Sequence, residues 1–236
     1  MTRLRTGILI IMGLALLAAS LVFSLLSSNN HWGLLVTVGA LVFWFLVVLL
    51  FEKRVVDPRI IALVATMAAL ATLTRVAFAP IAGFKPTTFI VMITGYVCGP
   101  TTGLAVGALT GLASNFFLGQ GPWTPWQMAC WGLCGVLAGW LGRSRPDFRI
   151  WPFAILTGLC GFLFGWIMNI WHWVAFIEPL NLKTFLATYL ASLPFDGLHA
   201  AGNVVFSLLF GQLFYRSINR VHGRIKIRTD FNEVAK

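Results

Sequence analysis

Apolar runs long enough to cross a bilayer dominate this chain and leave little else from which to build a fold. A helix needs about 20 mainly apolar residues to cross the hydrocarbon core, and candidate spans fall near 7–26, 32–51, 59–78, 84–99, 101–118, 125–141, 151–173 and 194–216. With 236 residues, 58% of them hydrophobic, and a mean hydropathy of +0.86, such a surface must be hidden by lipid or partners. The loops and the basic C-terminal stretch are too short for a soluble catalytic domain. Helices satisfy their own backbone groups in hydrocarbon, and no barrel-like alternation is present, so the expected fold is an all-α polytopic membrane bundle. The break from Glu52 to Arg59, with Pro58 opening a new helix, divides it into an N-terminal hairpin (1–57), a six-helix core (58–218) and a basic tail (219–236).

The cations give the expected orientation. With the N-terminus in the cytoplasm, the inside segments collect Arg3, Arg5, Lys53, Arg54, Arg59, Arg143, Arg145, Arg149, Arg216, Arg220, Arg224, Lys226, Arg228 and Lys236. Only Lys85 and Lys183 stay outside, and Arg75 lies in a span. This is the positive-inside pattern, and it accounts for the net charge of +10 without a nucleic-acid partner. A multi-pass protein of the plasma membrane with both termini cytoplasmic is expected. The segment 84–118 is short for two crossings, yet a single crossing would move Arg143, Arg145 and Arg149 outside, so two crossings or none are favoured. Arg3, Arg5 and the apolar stretch to Ser20 have the layout of a signal peptide, but the run continues to Leu26 and a second span follows, so a retained helix is expected.

Small residues recur every fourth position at Gly95, Gly99, Gly103, Gly107 and Gly111, and Gly132, Gly135 and Gly139 repeat the idea at spacings of three and four. Such stripes let helix backbones approach closely in lipid, and internal packing is the expected role. Ala65 and Ala69 form a smaller version that either packs internally or docks on another membrane subunit.

Ionisable groups inside spans are costly and mark a site or a structural pair. Arg75 ends the third span. Asp196, His199, Asn203, Phe206 and Ser207 form one stripe of the last helix, which must face the bundle or a cavity. Arg75 and Asp196 either pair as a latch or both touch a ligand. On the preceding span Trp166, Asn169 and Trp173 share a face with His172 beside it. The loop Gly119-Gln120-Gly121-Pro122-Trp123-Thr124-Pro125-Trp126-Gln127 has few conformers, and its tryptophans and glutamines suit the wall of a site for a flat small molecule. The loop from Ala79 to Thr87, with Lys85, faces the same side.

No GxxxxGK[ST], HExxH or GxSxG segment occurs, so ATP binding and two hydrolase chemistries are not expected of this chain. Cys98, Cys130, Cys134 and Cys160 fall inside spans and suit packing, not a metal set. No metal, cofactor or catalytic residue is expected. A proton-coupled secondary transporter using Asp196 or His199, and an intramembrane enzyme using Asp196, His199 and His172, are the alternatives.

Together, Phe84-Lys85-Pro86-Thr87-Thr88, the Gly99-Pro100 break, Ser114-Asn115-Phe116-Phe117, the Trp123-Thr124-Pro125-Trp126-Gln127 loop and Pro194-Phe195-Asp196-Gly197-Leu198-His199-Ala200-Ala201-Gly202-Asn203 resemble the substrate-binding S component of energy-coupling factor (ECF) transporters. The resemblance covers about residues 58–216 and implies a six-helix protein that binds a vitamin at its outer side. It also implies docking on a transmembrane coupling subunit with two ATPases, through an AxxxA face to which Ala65 and Ala69 are similar. The tryptophan loop is similar to that of the cobalamin group, with riboflavin or another flat heterocycle left open. Under this reading the residues singled out above give the candidate substrate-binding set Arg75, Lys85, Asn115, Gln120, Trp123, Trp126, Gln127, Asn169, His172, Asp196, His199 and Asn203, with Trp123 and Trp126 stacking on the ligand. The N-terminal hairpin departs from the six-helix pattern.

The charge distribution makes a direct prediction. Single cysteines at Lys85, Gly121 or Lys183 should react with an impermeant thiol reagent added to intact cells, and those at Ser144 or Arg228 should not. Labelling at Ser144 would reverse the orientation.

Overall fold

A computed structural model describes residues 57–145 and 147–234, with side chains through Ile225. Of the expected hairpin (1–57), residues 1–56 lie outside the described residues. The described residues form six helices: α1 (Pro58–Ala77), α2 (Thr87–Cys98), α3 (Pro100–Leu118), α4 (Thr124–Ser144), α5 (Ile150–Phe176) and α6 (Leu182–Val234). No strand occurs among them. The fold is an all-α bundle, as its composition requires. By length and composition α1, α3, α5 and the Leu182–Ile225 part of α6 qualify as membrane spans. Gln127 and four glycines lower the hydropathy of α4.

Local chemistry sets the helix ends. Asp57 caps α1 by accepting a hydrogen bond from Arg59 N at 2.8 Å, and Pro58 occupies the first turn, where a missing N–H costs nothing. At Gly99 the backbone takes φ 95°, a conformation that L side chains avoid, and Pro100 begins α3 at once. The chain reverses there, because Gly95 and Gly103 face each other across the α2–α3 junction. This resolves the short segment 84–118 as a hairpin. At 1.5 Å per residue α2 is only about 18 Å long, short of the roughly 30 Å hydrocarbon core.

That shortfall is tolerable because α2 touches protein on all sides. Residues Thr87 through Tyr96 are all buried, and α2 packs against each of the other five helices. The glycine stripes make this possible. A Cβ at either Gly95 or Gly103 would collide with the backbone of Gly135, and one at Gly107 with that of Trp131 and Gly132. Three helix backbones therefore meet where no side chain fits, as the glycine spacing leads one to expect. Phe89, Ile90, Val91, Met92 and Ile93 fill the core around this junction, with Phe89 edge-on to Phe153 and Phe214.

The last helix is longer than its apolar run suggests. It starts at Leu182, not near 194, and passes through Pro194; residues 182–193 are mostly good helix formers, and one missing N–H does not stop them. Antiparallel packing of α5 on α6 brings Gly161 onto Ala200 and Gly165 onto Asp196. At one end of the bundle lie the α1–α2, α3–α4 and α5–α6 loops. At the other, Tyr96 donates to the carbonyl of Arg145 at 2.6 Å and stacks edge-on with Phe148.

Replacing Gly135 with Leu should push α2, α3 and α4 apart, an overpacking cost of about 1–3 kcal/mol or more. Gly223→Ala, where a new Cβ meets nothing within 4 Å, should be neutral or stabilising by up to about 1 kcal/mol. Thermal unfolding in detergent reads both, and a Gly135→Leu protein that melts like the parent would contradict the close approach.

Candidate functional site

At the end of the bundle that carries the three loops, a cavity of about 640 Å³ opens between the last turn of α1, the start of α2, and α4, α5 and α6. Its geometry starts with Arg75, only 8% exposed. A buried guanidinium demands acceptors, and three side chains supply them. Nη1 donates to Ser114 Oγ and, at 2.6 Å, to Asn115 Oδ1, while Nη2 donates to Gln127 Oε1 at 3.1 Å. Asn115 Nδ2 in turn donates to Gln127 Oε1 and Thr124 Oγ1, both at 2.9 Å. The guanidinium carbon lies 4.7 Å from the ring centre of Trp131, a cation–π distance. Arg75 is thus pinned between α3 and α4 with its charge directed at neutral oxygens.

Lys85 reaches the cavity from the α1–α2 loop. That loop is fastened to α6: Gly83 turns at φ 71° against the carbonyl of Phe195, and Phe84 packs on Phe206 with ring centres 5.2 Å apart. Partial burial pulls the Lys85 ammonium below its ordinary pKa, and the charge of Arg75 adds to the shift. Two residues on, Thr87 lines the cavity with a buried hydroxyl that has no partner.

A polar relay crosses the cavity wall. Trp131 Nε1 donates to Thr88 Oγ1 at 3.0 Å, and Thr88 Oγ1 is 2.8 Å from His199 Nε2. His199 also stands edge-on to Phe164, whose ring centre is 4.8 Å from that of Trp131. Opposite Arg75, Asp196 is 6% exposed and its carboxylate sits on Gly165, where any side chain would collide with it. Its Oδ2 accepts from Ser192 Oγ at 2.9 Å and from Asn169 Nδ2 at 3.5 Å. Arg75 and Asp196 line the same cavity, but no ion pair joins them, so the latch is not formed.

Of the expected binding residues, Arg75, Lys85, Gln127, Asn169, His172, Asp196 and His199 line this cavity. Asn115 lies behind Arg75 as its acceptor. Gln120 is exposed and closes its own loop, donating to the carbonyl of Leu112 at 3.0 Å and accepting from Thr124 at 2.9 Å. Trp123 packs edge-on against Trp171 at 6.4 Å, and Trp126 keeps a buried Nε1 without a partner; neither lines the cavity. Asn203 is fully buried between α5 and α6, donating to the carbonyl of Thr157 at 3.1 Å. The aromatic lining comes instead from Trp131, Phe164 and Phe195, with Met168 and Ser192 beside them. The sequence carried one signal for Trp131, its place one turn beyond Gln127 on the same helix face. Ala65 and Ala69 lie at the opposite surface of α1, exposed among the described residues together with Ile61 and Leu73. No cluster of three or more metal-ligating side chains occurs among the described residues.

Comparison with known proteins finds no match among curated proteins and none among solved structures. The family model described as ECF transporter, substrate-specific component, matches residues 59–215, which take in all of α1 except Pro58, the whole of α2 to α5, and α6 as far as Tyr215. The chain, with its apolar helices and its end-on cavity, belongs to the ECF transporter substrate-specific component family.

Proposed function

We propose that this multi-pass membrane subunit captures a vitamin-class small molecule at the outer face of the plasma membrane, for uptake driven by ATP hydrolysis in partner subunits. The observation that carries this reading is the cavity at the three-loop end, which the positive-inside pattern turns outward. Its volume of about 640 Å³ suits a ligand of drug size. A flat heterocycle of that size fits against Trp131 and Phe164, with Asn169 and His172 further along α5 as polar partners. An intact corrinoid has far more atoms and would stand largely outside the cavity.

In this reading Arg75, Lys85, Gln127, Asn169, His172, Asp196 and His199 contact the ligand, and Asn115 holds Arg75 in place. Gln120 and Trp123 brace the α3–α4 loop against α3 and α5 beside the site, Trp126 follows them at the start of α4, and Asn203 ties α5 to α6. Ala65 and Ala69 are the docking face for a transmembrane coupling subunit that works with two ATPases. Two small side chains on an exposed helix stripe allow a partner helix to approach closely, since packing and not hydrophobic transfer drives association in lipid. The chain itself supplies binding and no bond-breaking chemistry.

Cells expressing the chain with a coupling module, offered labelled B vitamins including riboflavin and cyanocobalamin, should accumulate one of them in an ATP-dependent manner. Ala65→Leu should lose uptake while the purified variant still binds. Accumulation that survives ATP depletion but collapses with a proton ionophore would overturn this reading in favour of proton coupling through Asp196 or His199. Equal loss of binding and uptake in Ala65→Leu would show that this face packs internally.

A further inference from the structure

The cavity holds two charges of opposite sign that are not spent on each other. At one pole Arg75 gives its hydrogen bonds to Ser114, Asn115 and Gln127, all neutral. Lys85 adds a second cation there, and no carboxylate among the described residues pairs with either. At the other pole Asp196 accepts at Oδ2 from neutral Ser192 and Asn169, and no donor among the described residues reaches Oδ1. Both Arg75 and Asp196 are more than nine-tenths buried. Removing a charge from water is costly when only neutral dipoles replace the solvent, so each pole favours a counter-charge brought from outside.

The surface between the poles is aromatic. The guanidinium of Arg75 lies over Trp131, Trp131 neighbours Phe164, and the residue after Phe164 is the glycine on which the Asp196 carboxylate rests. A continuous path of two rings thus leads from the cationic pole to the anionic one. Thr87 adds a buried hydroxyl without a partner on the cationic side, two residues from Lys85. A hydroxyl donates readily to an anion, so this orphan, once turned into the cavity by rotation about χ1, complements an incoming carboxylate or phosphate oxygen.

Resting on the binding reading above, the geometry points to a dipolar ligand: an anionic group held by Arg75, Lys85 and Thr87, a flat body along Trp131 and Phe164, and a cationic nitrogen facing Asp196. Each simpler class meets a penalty. A neutral molecule seals both charges from water with no partner. A purely anionic one presents a like charge or nothing to Asp196, and a purely cationic one meets Arg75 and Lys85. Two cations against one carboxylate also set the preferred net charge of the ligand between zero and minus one.

The test sorts ligands by charge and does not depend on identifying the compound. A small-molecule extract of yeast is divided into dipolar, cationic, anionic and neutral fractions. Dipolar compounds are those retained both by a cation exchanger near about pH 2 and by an anion exchanger near about pH 11, where acids and amines respectively lose their charge. Each fraction is added to the purified full chain in detergent, and the melting temperature is followed by tryptophan fluorescence. The dipolar fraction should stabilise the chain and the other three should not. Lys85→Gln, in a loop, and Asp196→Asn, which keeps the side-chain shape, should each require at least tenfold more of that fraction for the same shift. Stabilisation by the neutral fraction, or an unchanged dose response in Lys85→Gln, would overturn the dipolar assignment and leave the binding reading standing. Stabilisation by none of the fractions would overturn both.

Discussion

Contact of backbone on backbone at Gly95, Gly103 and Gly135 is the constraint from which the rest of this bundle follows. Because α2 is too short to cross the bilayer, its ends cannot be left to lipid, and every polar group at those ends must be met by protein. Only helices that approach to backbone contact can wrap it on all sides. Once α3 and α4 are drawn against α2, the N-terminus of α2 is fixed inside the bundle rather than at its edge. Thr87 and Thr88 then stand on a cavity wall, and Lys85 reaches over it from the loop.

The same closeness dictates how Arg75 is used. With α3 and α4 locked together, Ser114, Asn115 and Gln127 form one acceptor cluster, and the guanidinium at the end of α1 is the donor that satisfies it. Asp196 is positioned by a separate joint, the α5–α6 pair, where Gly165 leaves room for the carboxylate. The two charges are therefore held by different parts of the bundle and face a shared space. Held this way, both charges stay available to the ligand proposed above, because neither half is free to collapse onto the other.

Much of this was legible in the sequence, for identifiable reasons. Glycine spacing announced the close packing, and the Asp196, His199, Asn203 and Ser207 stripe announced an inward face, because both follow helical period directly. Segment 84–118 stayed open in the sequence, and the turn at Gly99-Pro100 resolves it as a hairpin. What could not be read was that α2 is central, since burial by protein and burial by lipid select the same apolar residues. Trp131 and Phe164 were hidden for a related reason: an aromatic side chain inside a span looks like packing until a polar neighbour and a void are placed beside it. The converse applies to Trp123 and Trp126, whose exposed-looking loop suggested stacking on a ligand, whereas Trp123 is taken up by Trp171. Asn203 shows that a polar residue on the inward stripe also serves as a clasp, here between α5 and α6.

The central claim is that this chain alone holds a small molecule in the cavity between Arg75 and Asp196. Native mass spectrometry of the full chain released from detergent tests it most directly, with Gly165→Leu as the comparison, because a side chain there displaces the Asp196 carboxylate into the site. The account predicts a single bound small molecule in one-to-one ratio on the parent chain and its loss from Gly165→Leu. An adduct that persists undiminished on a folded Gly165→Leu chain, or a parent chain that carries none after exposure to a full metabolite extract, would contradict it.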